Sequence, residues 1–280
     1  MYVRPPDHDH VGDPRRSSMT SQAMAGKTGR MGGMPWPCRN HEIDWNAFDP
    51  KAYHAHNYLT MRDDDRQIIV QLRDFFGAAS LPANALGLDV GPGANLYPAL
   101  SMLPFCSALD LIDYSTANVA WLRGQQSWTR RSWRSWDPFW RLYGEHPAFA
   151  QYVRAHRPAA EFRRKAYVGQ GSIFELPKRR YDIGTMFFVA CSMSEDRQEF
   201  FRAVTRFLAA LKPGAPFAAA FMTGSSGYAI EGRTYPAFPV TPANVAHVMR
   251  AHAPSTVVTP IVSDLRPDVG MVLATGYRGK

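Results

Sequence analysis

Residues 86 to 113 constrain the fold of this chain more than any other segment. Leu86, Leu88 and Val90 form a short apolar run that stops at Gly91-Pro92-Gly93, and residues 94–103 continue with helical spacing at Leu96, Leu100 and Leu103. A second apolar run over 108–112 ends on an acid, Asp113, about 20 residues after the glycines. Strand, glycine turn, helix, strand and acid in that order build a βαβ unit with a crevice at the carboxyl ends of its strands. Glycines in such a turn let backbone N–H groups approach a ligand, and a carboxylate closing the second strand accepts both hydroxyls of a ribose. Ala94 and Leu96 stand where a dinucleotide-binding turn would continue its pyrophosphate cradle, so one nucleoside is expected rather than two. The plain alternative is an ordinary glycine turn between a strand and a helix; the spacing of Asp113 argues against it.

Strand and helix keep alternating beyond this unit. A short helical segment from Trp45 and a helix with Ile68, Ile69, Leu72, Phe75 and Phe76, ending at Gly77, form a helical cap over 41–80. A helix over 115–126 carries Val119 and Leu122 on one face. Residues 183–189 are apolar on both faces, as a central parallel strand should be. A helix over 195–211 follows, striped by Phe200, Phe201, Val204, Phe207 and Leu208 and stopped by Lys212-Pro213-Gly214. A strand over 217–222, a helix opened by Thr241-Pro242, and strands over 257–262 and 269–275 complete a doubly wound α/β sheet with an antiparallel, hairpin-like end. Residues 1–40 hold Pro, Gly, Ser, Met and charge without periodicity, so they are expected to be a disordered or loosely attached arm on a domain spanning 41–280. Their methionines leave a later start open. Asp7-His8-Asp9-His10 has nothing nearby to rigidify it, so a solvated tail is expected there and no metal site.

With 280 residues and 45% hydrophobic content, the chain can bury one sizeable core. Three widely spaced cysteines, Cys38, Cys106 and Cys191, suggest neither a disulfide framework nor a zinc site, and hence a reducing, cytoplasmic setting. No apolar run approaches the roughly 20 residues that span a bilayer, and the N-terminus is unlike a signal peptide. The net charge of +8 comes largely from arginine, much of it in a Trp/Arg-rich segment over 124–165. Arg130, Arg131, Arg134 and Arg141 interleaved with Trp128, Trp133, Trp136 and Trp140 fit two pictures. One is a surface on which nucleic-acid bases stack. The other is an amphipathic helical insertion whose tryptophans pack inward while its arginines reach water. The second is expected, because aromatic residues at i, i+3, i+4 spacing usually bury. The expected partner is a small molecule rather than a membrane or a nucleic acid, and a monomer is the expected state.

An acid opening a D-x-G-x-G turn, Asp89 to Gly93, resembles the first motif of class I S-adenosylmethionine-dependent methyltransferases, and so implies a Rossmann-like methyltransferase sheet. Over roughly 44–276 the chain resembles, more narrowly, the nicotinamide, phenylethanolamine and indolethylamine N-methyltransferase family. Phe48-Asp49-Pro50-Lys51-Ala52-Tyr53 followed by Tyr58 is similar to its F-N-P-x-x-Y element and second tyrosine, which implies that Tyr53 and Tyr58 close over the methionine carboxylate of the cofactor. Asp89 to Tyr97 resembles its D-I-G-x-G-x-x-x-Y turn, giving cofactor contacts to Asp89, Gly91, Gly93, Asn95 and Tyr97. Asp113-Tyr114-Ser115 through Asn118 resembles D-Y-[ST]-x-x-N, giving Asp113, Tyr114 and Asn118 to the ribose region. Leu211 to Gly214 and Ser225 to Tyr228 resemble later L-K-P-G and S-S-x-Y elements. The chain also departs from the family. Gly171-Ser172-Ile173 replaces an acidic residue near adenine, which leaves adenine to Ser172, Ile173, Met186 and Thr185. Phe221-Met222 stands where the nicotinamide enzymes carry an acid that orients the acceptor.

The resemblance implies S-adenosyl-L-methionine as methyl donor and S-adenosyl-L-homocysteine as product. In-line transfer from a sulfonium needs chiefly alignment in a dry pocket and no covalent intermediate. Phe187, Phe188, Met193, Phe221, Met222 and Tyr228 are the expected acceptor pocket, suited to an apolar or aromatic small molecule accepting at N or O; core packing is the alternative for each. His54, His56, Arg233 and His247 are candidates to hold or deprotonate a polar group, with His54 or His56 expected nearest the methyl; a surface histidine is the alternative for any one. An RNA methyltransferase using the basic insertion and a noncatalytic cofactor-binding fold are the rival classes.

Overall fold

The structure is a computed structural model and describes residues 37–127, 133–263 and 269–280. Most of the expected arm, including Asp7 to His10, lies outside the described residues, as do Trp128, Arg130 and Arg131. Residues 38–40, at the end of the expected arm, are hydrogen-bonded to the domain. Glu195 donates its N–H to the Cys38 carbonyl at 2.8 Å, Cys38 donates back to the Glu195 carboxylate at 3.1 Å, and Asn40 donates to Glu199 at 2.8 Å. Paired backbone donors tie down the segment from Cys38 onward, which apolar periodicity does not register.

Asp49 caps α1 (Pro50–Asn57) by accepting from the amides of Lys51 and Ala52. The longer α2 (Asp63–Gly77) buries Ile68, Ile69, Leu72 and Phe76 completely and ends at the expected glycine. Then come β1 (Ala85–Val90), α3 (Tyr97–Met102), β2 (Cys106–Asp113) and α4 (Thr116–Ser127). α3 starts later than the spacing predicts, because Gly91 and Gly93 are both left-handed and the Asn95 amide closes back onto the Pro92 carbonyl at 2.8 Å.

Beyond α4, the described part of the Trp/Arg segment is helical, as expected, and holds α5 (Asp137–Tyr143), α6 (Pro147–Ala155) and α7 (Pro158–Lys165). A proline near the start of each allows a new helix only there. Trp133, Trp136, Trp140, Phe139, Tyr143, Phe149 and Phe162 are buried, while Arg134 and Arg141 are exposed. Trp133 and Trp140 donate their indole N–H groups to the carbonyls of Gln125 and His156. In its described part the insertion is a packed wall, with its tryptophans turned away from any base that might stack on them.

The remaining elements are β3 (Ala166–Gln170), β4 (Ile183–Phe187), α8 (Arg197–Ala210), β5 (Pro216–Thr223), β6 (Gly227–Ile230), β7 (Arg233–Pro236), α9 (Pro242–Arg250), β8 (Val257–Ile261) and β9 (Gly270–Tyr277). Seven strands form one sheet in the order β3-β2-β1-β4-β5-β9-β8, all parallel except β9, which runs antiparallel between β5 and β8. This is the doubly wound, Rossmann-like sheet with an antiparallel end. Strand order reverses between β1 and β4, the switch point where such sheets leave a crevice at their carboxyl ends. β3 and the separate β6–β7 hairpin have no counterpart in the sequence reading. β3 is a short edge strand with Tyr167 exposed, following Arg163-Arg164-Lys165, and lacks the apolar run of its neighbours. The hairpin's β6 has no fully buried residue. No helix among the described residues is long and apolar enough to cross a membrane.

Candidate active site

The crevice is built outward from the end of β1. Gly91 and Gly93 have φ of +59° and +53°, where a side chain is strained. At Gly91 space is also lacking, since a Cβ there would lie 2.5 Å from Cγ2 of Val189. The turn is locked to β2 through Asp113. Oδ2 of Asp113 accepts from the Gly93 amide at 2.9 Å, and Oδ1 accepts from the Ser115 amide at 2.9 Å and Asn118 Nδ2 at 3.1 Å. Burial raises the Asp113 pKa, and these donors oppose the rise by favouring the charged form.

Asp113 opens onto a cavity of about 370 Å³. Gly91, Gly93, Asn95, Tyr114, Asn118, Ser172 and Ile173 line one part of it with Asp113. Phe187, Phe188, Met193, Met222 and Tyr228 line another, and Tyr53, Tyr58 and His56 reach it from α1 and its C-cap. Tyr53 and Tyr58 lie edge to face, 5.9 Å between ring centres, and burial raises both phenols, so they stay neutral. Phe188 has φ +60°, rare for a phenylalanine, and its amide donates to Ala220 at 2.8 Å. That kink ends β4 at Phe187 and allows two successive phenylalanines to line one cavity.

Several expected residues lie elsewhere. Phe221 does not line the cleft: it is fully buried against Phe200, because side chains alternate along β5 and Met222 takes the cleft side. The same alternation puts Met186 of β4 in the core. Thr185 donates its hydroxyl to Asp89 at 2.8 Å, and the pair lies outside the cleft lining. Tyr97 is fully buried between Tyr58, Phe139 and Phe187 and does not line the cleft. His54 packs against Trp121 and Trp136, with Nε2 3.3 Å from the Ser135 hydroxyl, and burial lowers its pKa; it too is absent from the lining. Arg233 is exposed on β7, and His247 sits against Phe201 on α9. Phe48 and Ser225, which open the two elements named above, line the cleft, and so do residues given no site role in the sequence: Trp45, Asn57, Arg62, Asp64, Asp65, Ser192 and Met271. For the two acids a signal existed. Asp64 and Asp65 lie four residues before Ile68 and Ile69, so they extend the buried stripe of α2.

Asp89 yields a pH test. Burial, more than the nearby Asp113 charge, pushes its carboxyl up to about 8, and its Oδ2 has no hydrogen-bond partner. The folded chain therefore keeps a proton that the unfolded chain sheds near pH ~4, and Asp89 lowers stability progressively as pH rises from there towards 8. Asp89→Asn removes this dependence. Denaturant unfolding of both proteins should show the variant gaining stability relative to the parent from pH 5 to pH 8; a gap that does not change with pH would refute the buried-acid account.

No protein-family model and no curated protein matches the sequence. Among solved structures, the chain is similar to Burkholderia thailandensis 1,6-didemethyltoxoflavin-N1-methyltransferase with bound 1,6-didemethyltoxoflavin and S-adenosylhomocysteine, at 16% identity over 82% of this chain and 84% of that one, with a TM-score of 0.48. It is similar to the N-methyltransferase NodS of Bradyrhizobium japonicum WM9 at 13% identity over 78% of this chain and 97% of that one, TM-score 0.48. A DhpI–S-adenosylhomocysteine complex is similar at 14% identity over 82% and 91%, TM-score 0.49. At such identities the chemistry has to be argued from the cleft's own residues.

Proposed function

We propose that this chain binds S-adenosyl-L-methionine in the cleft and catalyses transfer of its methyl group to N or O of a small, apolar or aromatic acceptor. The observation that carries the proposal is Asp113, a buried carboxylate that lines the cleft beside a left-handed glycine turn at the switch point of the sheet. The cleft also fits such a ligand in what it leaves unpaired. Asn95 Nδ2 and Asn118 Oδ1 are buried without hydrogen-bond partners, and both residues line the cavity. Asp113 and Asn118 would hold the ribose, Ile173 and Ser172 the base, and Tyr53, Tyr58 and Asn95 the amino-acid end.

When bound, the cofactor supplies an electrophilic methyl on a sulfonium. The chain's residues align and desolvate. Phe187, Phe188, Met193, Met222 and Tyr228 present an apolar wall that orients a flat acceptor and keeps water out. His56, exposed at the cleft, takes over from His54 as the histidine placed to accept a proton. Calorimetric titration with S-adenosylhomocysteine and 5′-methylthioadenosine tests the reading. Saturable binding of both is expected; no heat from either at millimolar concentration would overturn it.

A further inference from the structure

Two carboxylates in the cleft wall have no ion-pair partner among the described residues, although the Arg62 charge acts on one of them, Asp65. Asp64 and Asp65, in the first turn of α2, are each 7% exposed and line the cavity. Asp64 accepts from the Asp65 amide at 2.8 Å and the Ser263 hydroxyl at 2.5 Å. Asp65 accepts a long bond from the Arg62 amide at 3.4 Å. Among the described residues no lysine, arginine or histidine forms an ion pair with either. Adjacent acids this buried are costly unless a cation or further donors meet them. A second, independent feature of the same cavity also asks for a ligand: the Asn95 side chain, 5% exposed, has no acceptor for its Nδ2.

We propose that Asp64 and Asp65 form an ammonium subsite, which takes a protonated amine of a ligand seated in the cleft. The proposal deepens the adenosyl-binding reading and rests on it. The amine belongs either to the amino-acid end of the adenosyl ligand or to the methyl acceptor. The unpaired Asn95 donor suits the carboxylate that accompanies the first. The acids share one cavity lining with Met222 and Met271, paired across β5 and β9, and with the apolar wall that suits the second.

The subsite has a proton signature. Burial, and then the Asp64 charge, push Asp65 up to about 7, opposed by the Arg62 amide and charge and the Tyr97 hydroxyl; Tyr53, Tyr58 and Tyr143 also feel its charge. An ammonium beside it favours the ionised form, so binding at pH 7 should release roughly half a proton.

The experiment is calorimetry at pH 7, in two buffers of different ionisation enthalpy, on the parent chain, Asp65→Asn and Asp65→Glu. The titrants are S-adenosylhomocysteine, 5′-methylthioadenosine, which lacks the amino-acid end, and benzylamine added to protein saturated with S-adenosylhomocysteine. We expect Asp65→Asn to weaken S-adenosylhomocysteine by about 10- to 100-fold, to leave 5′-methylthioadenosine unchanged and to abolish proton release, with Asp65→Glu restoring both. The same loss falling on benzylamine instead supports the subsite and assigns the amine to the acceptor. Equal losses for S-adenosylhomocysteine and 5′-methylthioadenosine overturn it, as does an unchanged S-adenosylhomocysteine affinity with no benzylamine binding that depends on Asp65. If the parent chain binds neither adenosyl compound, the adenosyl reading fails by itself, and benzylamine titrated into the unliganded parent and Asp65→Asn proteins decides the subsite.

Discussion

Asp113→Ala is expected to weaken S-adenosylhomocysteine binding by at least about 100-fold, the effect of losing two hydrogen bonds to a charged acceptor worth roughly 1.5–3 kcal/mol each. The same carboxylate accepts from Gly93, Ser115 and Asn118, so the alanine variant also strands three donors and loosens the glycine turn. Asp113→Asn separates the two effects. One amide oxygen still accepts, while its NH2 meets donors on the other side, so the variant should stay folded and still lose most of its affinity. Calorimetry alongside thermal unfolding reads both. A folded Asp113→Asn protein with parental affinity would contradict the role given to Asp113.

Trp136→Ala is expected to cost about 3–5 kcal/mol of stability. Trp136 is fully buried, with ring centres 5.4 Å from His54, 5.8 Å from Tyr58 and 5.1 Å from Phe139. It therefore joins the insertion to the cap helix that carries Tyr53 over the cleft. For a chain of this size that loss lowers the melting temperature by on the order of 10 °C. Trp136→Phe should be much milder, because the indole N–H has no partner and its removal relieves an unmet donor. If the insertion were instead a base-stacking surface, Trp136→Ala would leave the melting temperature unchanged and weaken binding to RNA.

The sheet was legible because its central strands are apolar on both faces and because the glycines and Asp113 punctuate the first βαβ unit. Edge elements were not. β3 and the hairpin get their partners from the tertiary fold, and their residues carry no distinctive period. In the cleft lining, Gly91, Gly93 and Asp113 stand out in the sequence because backbone conformation and strand-end position dictate residue type there. Phe221 and Met186 lie in the core because a period of two along a strand turns alternate side chains to the face away from the cleft, which a run of apolar residues on both faces does not show. The left-handed Phe188 is the exception that kept Phe187 and Phe188 together. Acids in the first turn of a helix have a sufficient explanation in its dipole; only the register of Asp64 and Asp65 with Ile68 and Ile69 shows that they turn inward.

A crystal structure of the chain grown with S-adenosylhomocysteine tests the central claim most directly. Both ribose hydroxyls should lie within hydrogen-bond distance of the Asp113 carboxylate, with the sulfur facing Phe187, Phe188 and Met222. An adenosyl group bound away from Asp113, or a cleft still empty at millimolar ligand, would contradict it.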